Sequence, residues 1–98
     1  MINYEGERII VPLTAVGFAP ENIKDKNNNS AIRVELTVED FDIRYRMDGK
    51  DPTSLEGTIA CKDCKIVIEG ESNIQKFRAV SLGQGRIATI QPLFFREF

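Results

Sequence analysis

The feature that most constrains this chain is the run Phe41-Asp42-Ile43-Arg44-Tyr45-Arg46-Met47-Asp48. Apolar Phe41, Ile43, Tyr45 and Met47 alternate strictly with charged Asp42, Arg44, Arg46 and Asp48, the two-residue period of a strand with one buried face. The run then meets Asp48-Gly49, where glycine admits positive φ, and Asp51-Pro52-Thr53, where proline fixes φ and removes an amide donor. An apolar inner face, a charged outer face and a rigid turn describe a β-sandwich strand rather than a catalytic loop.

Residues 31–38 repeat the pattern, with Ile32, Val34, Leu36 and Val38 on one face and Arg33, Glu35, Thr37 and Glu39 on the other. Only Glu39-Asp40 separates this segment from Phe41, so the two are expected to pair as a hairpin. Arg33, Arg44 and Arg46 would then face Glu35 and Asp42 across strands, each pair contributing about 0.2–1 kcal/mol. Residues 7–11 read as a first strand bent at Pro12, with 14–18 continuing beyond the bend. Residues 21–30 are the most polar stretch; Asn27, Asn28 and Asn29 suit a loop, either a solvated connector or a tip that orders against a neighbour.

Further on, residues 65–69 form a short strand that Gly70 breaks. Residues 74–80 fit either a strand or a helical turn running into one, and 81–85, with Gly83 and Gly85, read as a hairpin turn. Residues 86–91 make a closing strand that Leu93 to Phe98 extends past Pro92. Short strands separated by turn chemistry, with no long helical period, give an all-β fold. The expected architecture is one antiparallel β-sandwich domain over residues 1–98, Ig-like or jelly-roll-like.

Composition narrows the function. A chain of 98 residues supports one domain of modest stability, burying about 60–65% of its unfolded surface. The net charge of −2, with acids and bases interspersed, lacks the clustered basic excess that nucleic acid selects. No apolar run is long enough to span a bilayer, so no membrane partner is expected. The start, Met1 to Glu7, lacks the basic-then-apolar layout of a secretion signal, so use without signal-directed export is expected. Histidine is absent, which removes the commonest general base and metal ligand.

The motifs that carry chemistry elsewhere are weak here. Cys61-Lys62-Asp63-Cys64 supplies two thiols and no imidazole where a structural zinc site needs four ligands. It lacks the βαβ setting of redox pairs, so it reads as two cysteines flanking a hairpin turn, with a short-range disulfide or an intersubunit metal site as the alternatives. Asp48, Asp51 and Asp63 match no calcium-loop spacing, and Ser81 to Gly85 matches no phosphate loop. No catalytic, cofactor-binding or metal-ligating residue is assigned, no cofactor is expected, and the chain is read as non-enzymatic.

The C-terminus is more suggestive. Adjacent Phe94 and Phe95 point to opposite faces of a strand, so one ring enters the core. The other, with Phe98, stays exposed unless a partner or a covering loop buries it. Burial of one such ring is worth about 1.5–3 kcal/mol, enough to matter when symmetry repeats it. Leu93, Phe94, Phe95 and Phe98 are therefore the expected contact residues, with Asn27, Asn28 and Asn29 as an outer or neighbour-facing tip.

Tyr45-Arg46-Met47-Asp48-Gly49-Lys50-Asp51-Pro52-Thr53 resembles the Y-x-x-D-G-x-x-P-T turn of Ig-like accessory β-sandwich domains. Extended from Ile43 through Gly57, Ile68 to Gly70, Asn73 to Ala79 and Ala88 to Arg96, the pattern resembles a family of small virion structural proteins of tailed bacteriophages. The resemblance covers roughly the last 60 residues and departs from the pattern at Cys61 and Cys64, where a glycine-rich or small turn is usual. It implies a virion subunit assembled in the host cytoplasm: a capsid decoration (cement) protein that stabilises the head as a homo-oligomer, typically a trimer. Its partner would be the major capsid protein or another virion protein. A tail, neck or baseplate component and a carbohydrate- or surface-binding module are the alternatives. The second lacks tryptophan, and its candidate aromatics, Tyr4 and Tyr45, include one that alternates with core residues.

Overall fold

The apolar face expected over residues 31–38 is buried: Val34, Leu36 and Val38 are at most 1% exposed. They belong to a computed structural model that describes residues 2–24, 30–83 and 85–96. Its elements are β1 (Ile2–Glu5), β2 (Ile9–Val11), α1 (Pro20–Ile23), β3 (Ala31–Glu39), β4 (Ile43–Arg46), β5 (Thr58–Ala60), β6 (Lys65–Glu69), α2 (Glu71–Lys76), β7 (Arg78–Ser81) and β8 (Ala88–Arg96). Two antiparallel sheets pack into the expected all-β sandwich. The larger runs β1-β8-β3-β6, with β2 also paired to β8, and the smaller runs β5-β4-β7.

The expected hairpin between residues 31–38 and the Phe41 strand does not form. β3 pairs with β6 and β8 in the larger sheet, whereas β4 pairs with β5 and β7 in the smaller one. The chain changes sheet at Asp40, whose φ is +74° and whose neighbours close a three-residue turn through Phe41 N–H to Glu39 C=O at 2.9 Å. Thr89 Oγ1 donates to Asp40 Oδ2 at 2.8 Å and ties that corner to β8. The cross-strand charge pairs change accordingly. Arg33 meets Glu35 on its own strand at 2.8 Å and Glu69 on β6 at 3.2 Å.

Two other expected hairpin turns are also sheet-to-sheet corners. Residues 61–64 join β5 to β6, and residues 82–87 join β7 to β8. Residues 14–18 make only a bridge, Val16 to Ala79, with mutual hydrogen bonds of 3.0 and 2.8 Å. Pro12 therefore delivers the chain from β2 to the flank of β7, where its carbonyl accepts from Ser81 N–H at 2.8 Å. The polar stretch begins with α1, and Lys24 bridges Ser30. Asn27, Asn28 and Asn29 lie outside the described residues.

The strand expected to close the fold is central instead. β8 lies between β1 and β2 on one side and β3 on the other. A proline inside such a strand is tolerated here because its flank is interrupted between β1 and β2. Gly6 crosses that gap and donates to Pro92 C=O at 3.1 Å. A Cβ on Gly6 would lie 2.5 Å from the Phe94 ring, so this close approach requires glycine.

The core joins both sheets. Phe94, Ile43, Ile74 and Ala79 are fully buried, with Phe77, Ile68 and Ile90 at 1% exposure. Phe18 stacks on Phe77 at 4.9 Å and meets Phe94 edge-on at 5.4 Å, while Tyr45 stacks on Phe77 at 5.8 Å. Arg96, 7% exposed, donates to the carbonyls of Asn22 at 2.6 Å and Ile23 at 3.3 Å. The last strand thereby caps the C-terminal end of α1.

Candidate functional site

The Asp-Gly-x-x-Pro-Thr segment becomes the loop 47–57, which leaves β4 and returns as β5. Its first turn is set by Asp48, whose Oδ1 accepts from Lys50 N–H at 3.1 Å, ahead of Gly49 at φ +86°. Its last turn is set by Thr53, whose Oγ1 accepts from Leu55 N–H at 3.1 Å and Glu56 N–H at 3.0 Å. Thr53 N–H closes the same turn onto Glu56 C=O at 2.9 Å. Pro52 between them is buried. Gly57 takes φ +124°, which favours glycine, and a Cβ there would sit a tight 3.1 Å from Tyr45 O and Pro52 Cβ.

Three arginines lock these turns to the sheet. Arg44 on β4 donates from Nε to Ser54 C=O at 3.1 Å and from Nη1 to Gly57 C=O at 2.7 Å. Arg46 grips the Asp48 carboxylate with both edges of its fork, Nε to Oδ1 at 3.0 Å and Nη2 to Oδ2, and lies 3.7 Å from Glu56. Arg78 on β7 bonds Asp51 at 3.0 Å and Ala15 C=O at 3.1 Å, tying the loop to the neighbouring strand. The Arg46 hydrogen bond, then the Lys50 amide, holds the Asp48 carboxyl far below its ordinary 3.8. The same hydrogen bond raises Arg46.

Among the polar exposed residues of this framework stands one large apolar side chain. Leu55 at the tip is 84% exposed, and Ile59 on the adjoining edge strand β5 is 52% exposed. A bulky aliphatic on a backbone fixed by side-chain hydrogen bonds suits contact with another surface. The loop's acids are engaged: Asp48 on Arg46, Asp51 on Arg78. Asp63 lies in another turn, so the three turn aspartates are not brought together.

The C-terminal contact set is divided by the structure. Phe94 is a fully buried core ring and is unavailable for contact in the folded domain. Leu93 and Phe95 reach the outer face of the larger sheet, half-buried, with the Arg33 guanidinium 5.6 Å from the Phe95 ring centre. Phe98 lies outside the described residues. Sequence reasoning missed the role of Arg78, which carries no local signal, and of Leu55. A large aliphatic among Thr53, Ser54 and Glu56 is the signal that pointed there.

The cysteine turn is a second, separate feature. Cys61 and Cys64 are free and exposed. Cys64 N–H closes the turn onto Cys61 C=O at 3.1 Å, and Asp63 takes φ +70°. Asp63 N–H to Val38 C=O at 2.7 Å and Val38 N–H to Cys64 C=O at 2.9 Å pin it to β3, and Lys62 N–H to Asp42 Oδ1 at 2.7 Å pins it to the start of β4. The neighbouring Cys64, by charge and by hydrogen bond, and then Asp42, push the Cys61 thiol up, the reverse of an activated nucleophile. Among the described residues no helix is long and apolar enough to cross a membrane. No protein family, no curated protein and no solved structure matches the chain.

Proposed function

We propose that the protein is a non-enzymatic structural subunit of a tailed-phage virion, a capsid decoration protein that stabilises the head. The observation that carries this reading is the loop 47–57. The same residues that bear the resemblance to small virion proteins build a pre-ordered arginine-held loop with Leu55 at its tip. A loop ordered before contact loses little conformational freedom on docking, so a small apolar contact retains most of its gain. Symmetry then multiplies that gain, because a homo-oligomer, a trimer being favoured, engages neighbouring major capsid subunits through several loops at once. Leu93 and Phe95, on the outer face of the larger sheet, are the second contact surface.

The test is the copy number of the chain in purified particles, by quantitative mass spectrometry against the major capsid protein. A ratio of one per capsid subunit, or a simple fraction set by capsid symmetry, supports decoration. A few to some tens of copies moves the protein to tail, neck or baseplate. Absence from particles overturns the virion reading and brings forward a carbohydrate- or surface-binding module.

A further inference from the structure

We infer that Cys61 and Cys64 form a two-thiolate site for a single soft monovalent metal ion, copper(I), at the corner between the two sheets. The inference is independent of the virion reading, since it rests on a different turn. The two thiols are exposed and free, yet their backbone is not loose. Four hydrogen bonds of 2.7 to 3.1 Å fix the turn within itself, to Val38 and to Asp42. The Cys64 N–H to Cys61 C=O bond of 3.1 Å closes the turn, so both thiols project from the two ends of one short, fixed turn.

Such a pair is half of a tetrahedral zinc site but a complete shell for copper(I), which is soft and accepts two thiolates. The protein brings nothing to fill the remaining zinc positions. It has no histidine, and among the described residues no third cysteine, aspartate or glutamate joins the pair. Asp42, whose Oδ1 accepts from Lys62 N–H at 2.7 Å, adds negative potential beside the pair without joining it as a third ligand. Binding releases the two thiol protons, forms two Cu–S bonds and leaves copper as copper(I), so no oxidant or reductant takes part. The cation also removes the repulsion between the two adjacent thiolates.

The experiment titrates the reduced full chain, under argon, against copper(I) held by a chromophoric chelator, with native mass spectrometry on the same samples. Expected is one copper per monomer withdrawn from the chelator, and loss of that withdrawal in both Cys61→Ser and Cys64→Ser. Both positions are exposed, so these variants are expected to fold, which far-ultraviolet circular dichroism checks. Lys62→Ala, between the two cysteines, is expected to retain capture. No withdrawal by the reduced chain, or withdrawal undiminished in either serine variant, overturns the site. Capture at half a metal per chain, in a dimer only, also overturns it and points to a four-thiolate site shared between copies.

Discussion

The Phe94 end of the sandwich and the loop 47–57 are fixed by opposite means. Around Phe94, a chain of three further rings (Phe18, Phe77 and Tyr45) and the strands β3 and β8 exclude water, and order comes from burial. In the loop almost nothing but Pro52 is buried, and order comes from Arg44 on two peptide carbonyls, Arg46 and Arg78 on aspartate carboxylates, and Asp48 and Thr53 accepting from peptide N–H groups. Interactions of the first kind set the stability of the whole domain. Those of the second kind are exposed to solvent and contribute modestly to stability, but they fix where Leu55 stands. The domain thus separates what holds it together from what positions the exposed Leu55, and the two can be perturbed one at a time.

The largest effect is expected where burial dominates. Phe94→Ala removes a ring that meets Phe18 edge-on and that leaves no space for a Cβ on Gly6. It should lower unfolding free energy by about 3–5 kcal/mol, read by urea denaturation. In a domain of this size that is a large part of the total. Deleting the last strand would be no cleaner, because β8 is central and Arg96 caps α1. A loss under about 1 kcal/mol would show that the Phe94 end is not the core that burial makes it.

Arg44→Ala tests the other regime. It removes two donors, an exposed one to Ser54 C=O and a part-buried one to Gly57 C=O, a loss of about 0.5–1.5 kcal/mol per hydrogen bond. The informative readout is local. Amide exchange at Leu55 and Glu56 should accelerate while Val34 and Leu36 in β3 keep their protection. Equal acceleration in both places would mean that the loop and core unfold as one unit and that the contrast does not hold.

How much of this was legible follows from what alternation encodes. A two-residue period assigns faces: residues 31–38 lie in β3 and 43–46 of the run 41–47 form β4, with Val34, Leu36, Val38 and Ile43 inward. A bulge at Ala31–Arg33 leaves Ile32 half-buried and Ala31 buried. The period says nothing about which sheet a strand joins. Two consecutive alternating runs look the same whether a hairpin or a corner separates them, and the partners that decide, β6 and β8 for β3 and β5 and β7 for β4, are distant in sequence. β1 (Ile2–Glu5) was missed because four residues are too few to show a period. Glycine, proline and aspartate marked the loop 47–57 as a turn through their own backbone preferences. Its clamp was hidden because Arg78 lies 27 residues from Asp51, and only the fold brings them together.

A smaller effect concerns acid. The Asp48 carboxyl is held below its ordinary 3.8 by Arg46, so its contribution is fully present above that value and is lost as pH falls toward its folded value. Carboxyl-detected NMR should show Asp48 titrating below 3.8, and returning toward 3.8 in Arg46→Ala. An unshifted midpoint in the wild type would remove Arg46 from the clamp and leave Arg44 and Arg78 to hold the loop.

The smallest effect on stability, and the sharpest test of the proposed docking loop, belongs to Leu55. At 84% exposure its side chain contributes almost nothing to the fold, so Leu55→Ser should change unfolding free energy by less than about 0.5 kcal/mol. The hydroxyl does not alter the Thr53 hydrogen bonds to the Leu55 and Glu56 amides, which come from the backbone. If the loop is the docking element, the folded variant should nevertheless be depleted from purified particles, in competition with wild type in the same lysate. Multivalency amplifies that depletion, since each weakened contact is repeated around the oligomer. Equal incorporation of both forms would show that the rigid loop serves the sandwich alone and would shift the contact to Leu93 and Phe95.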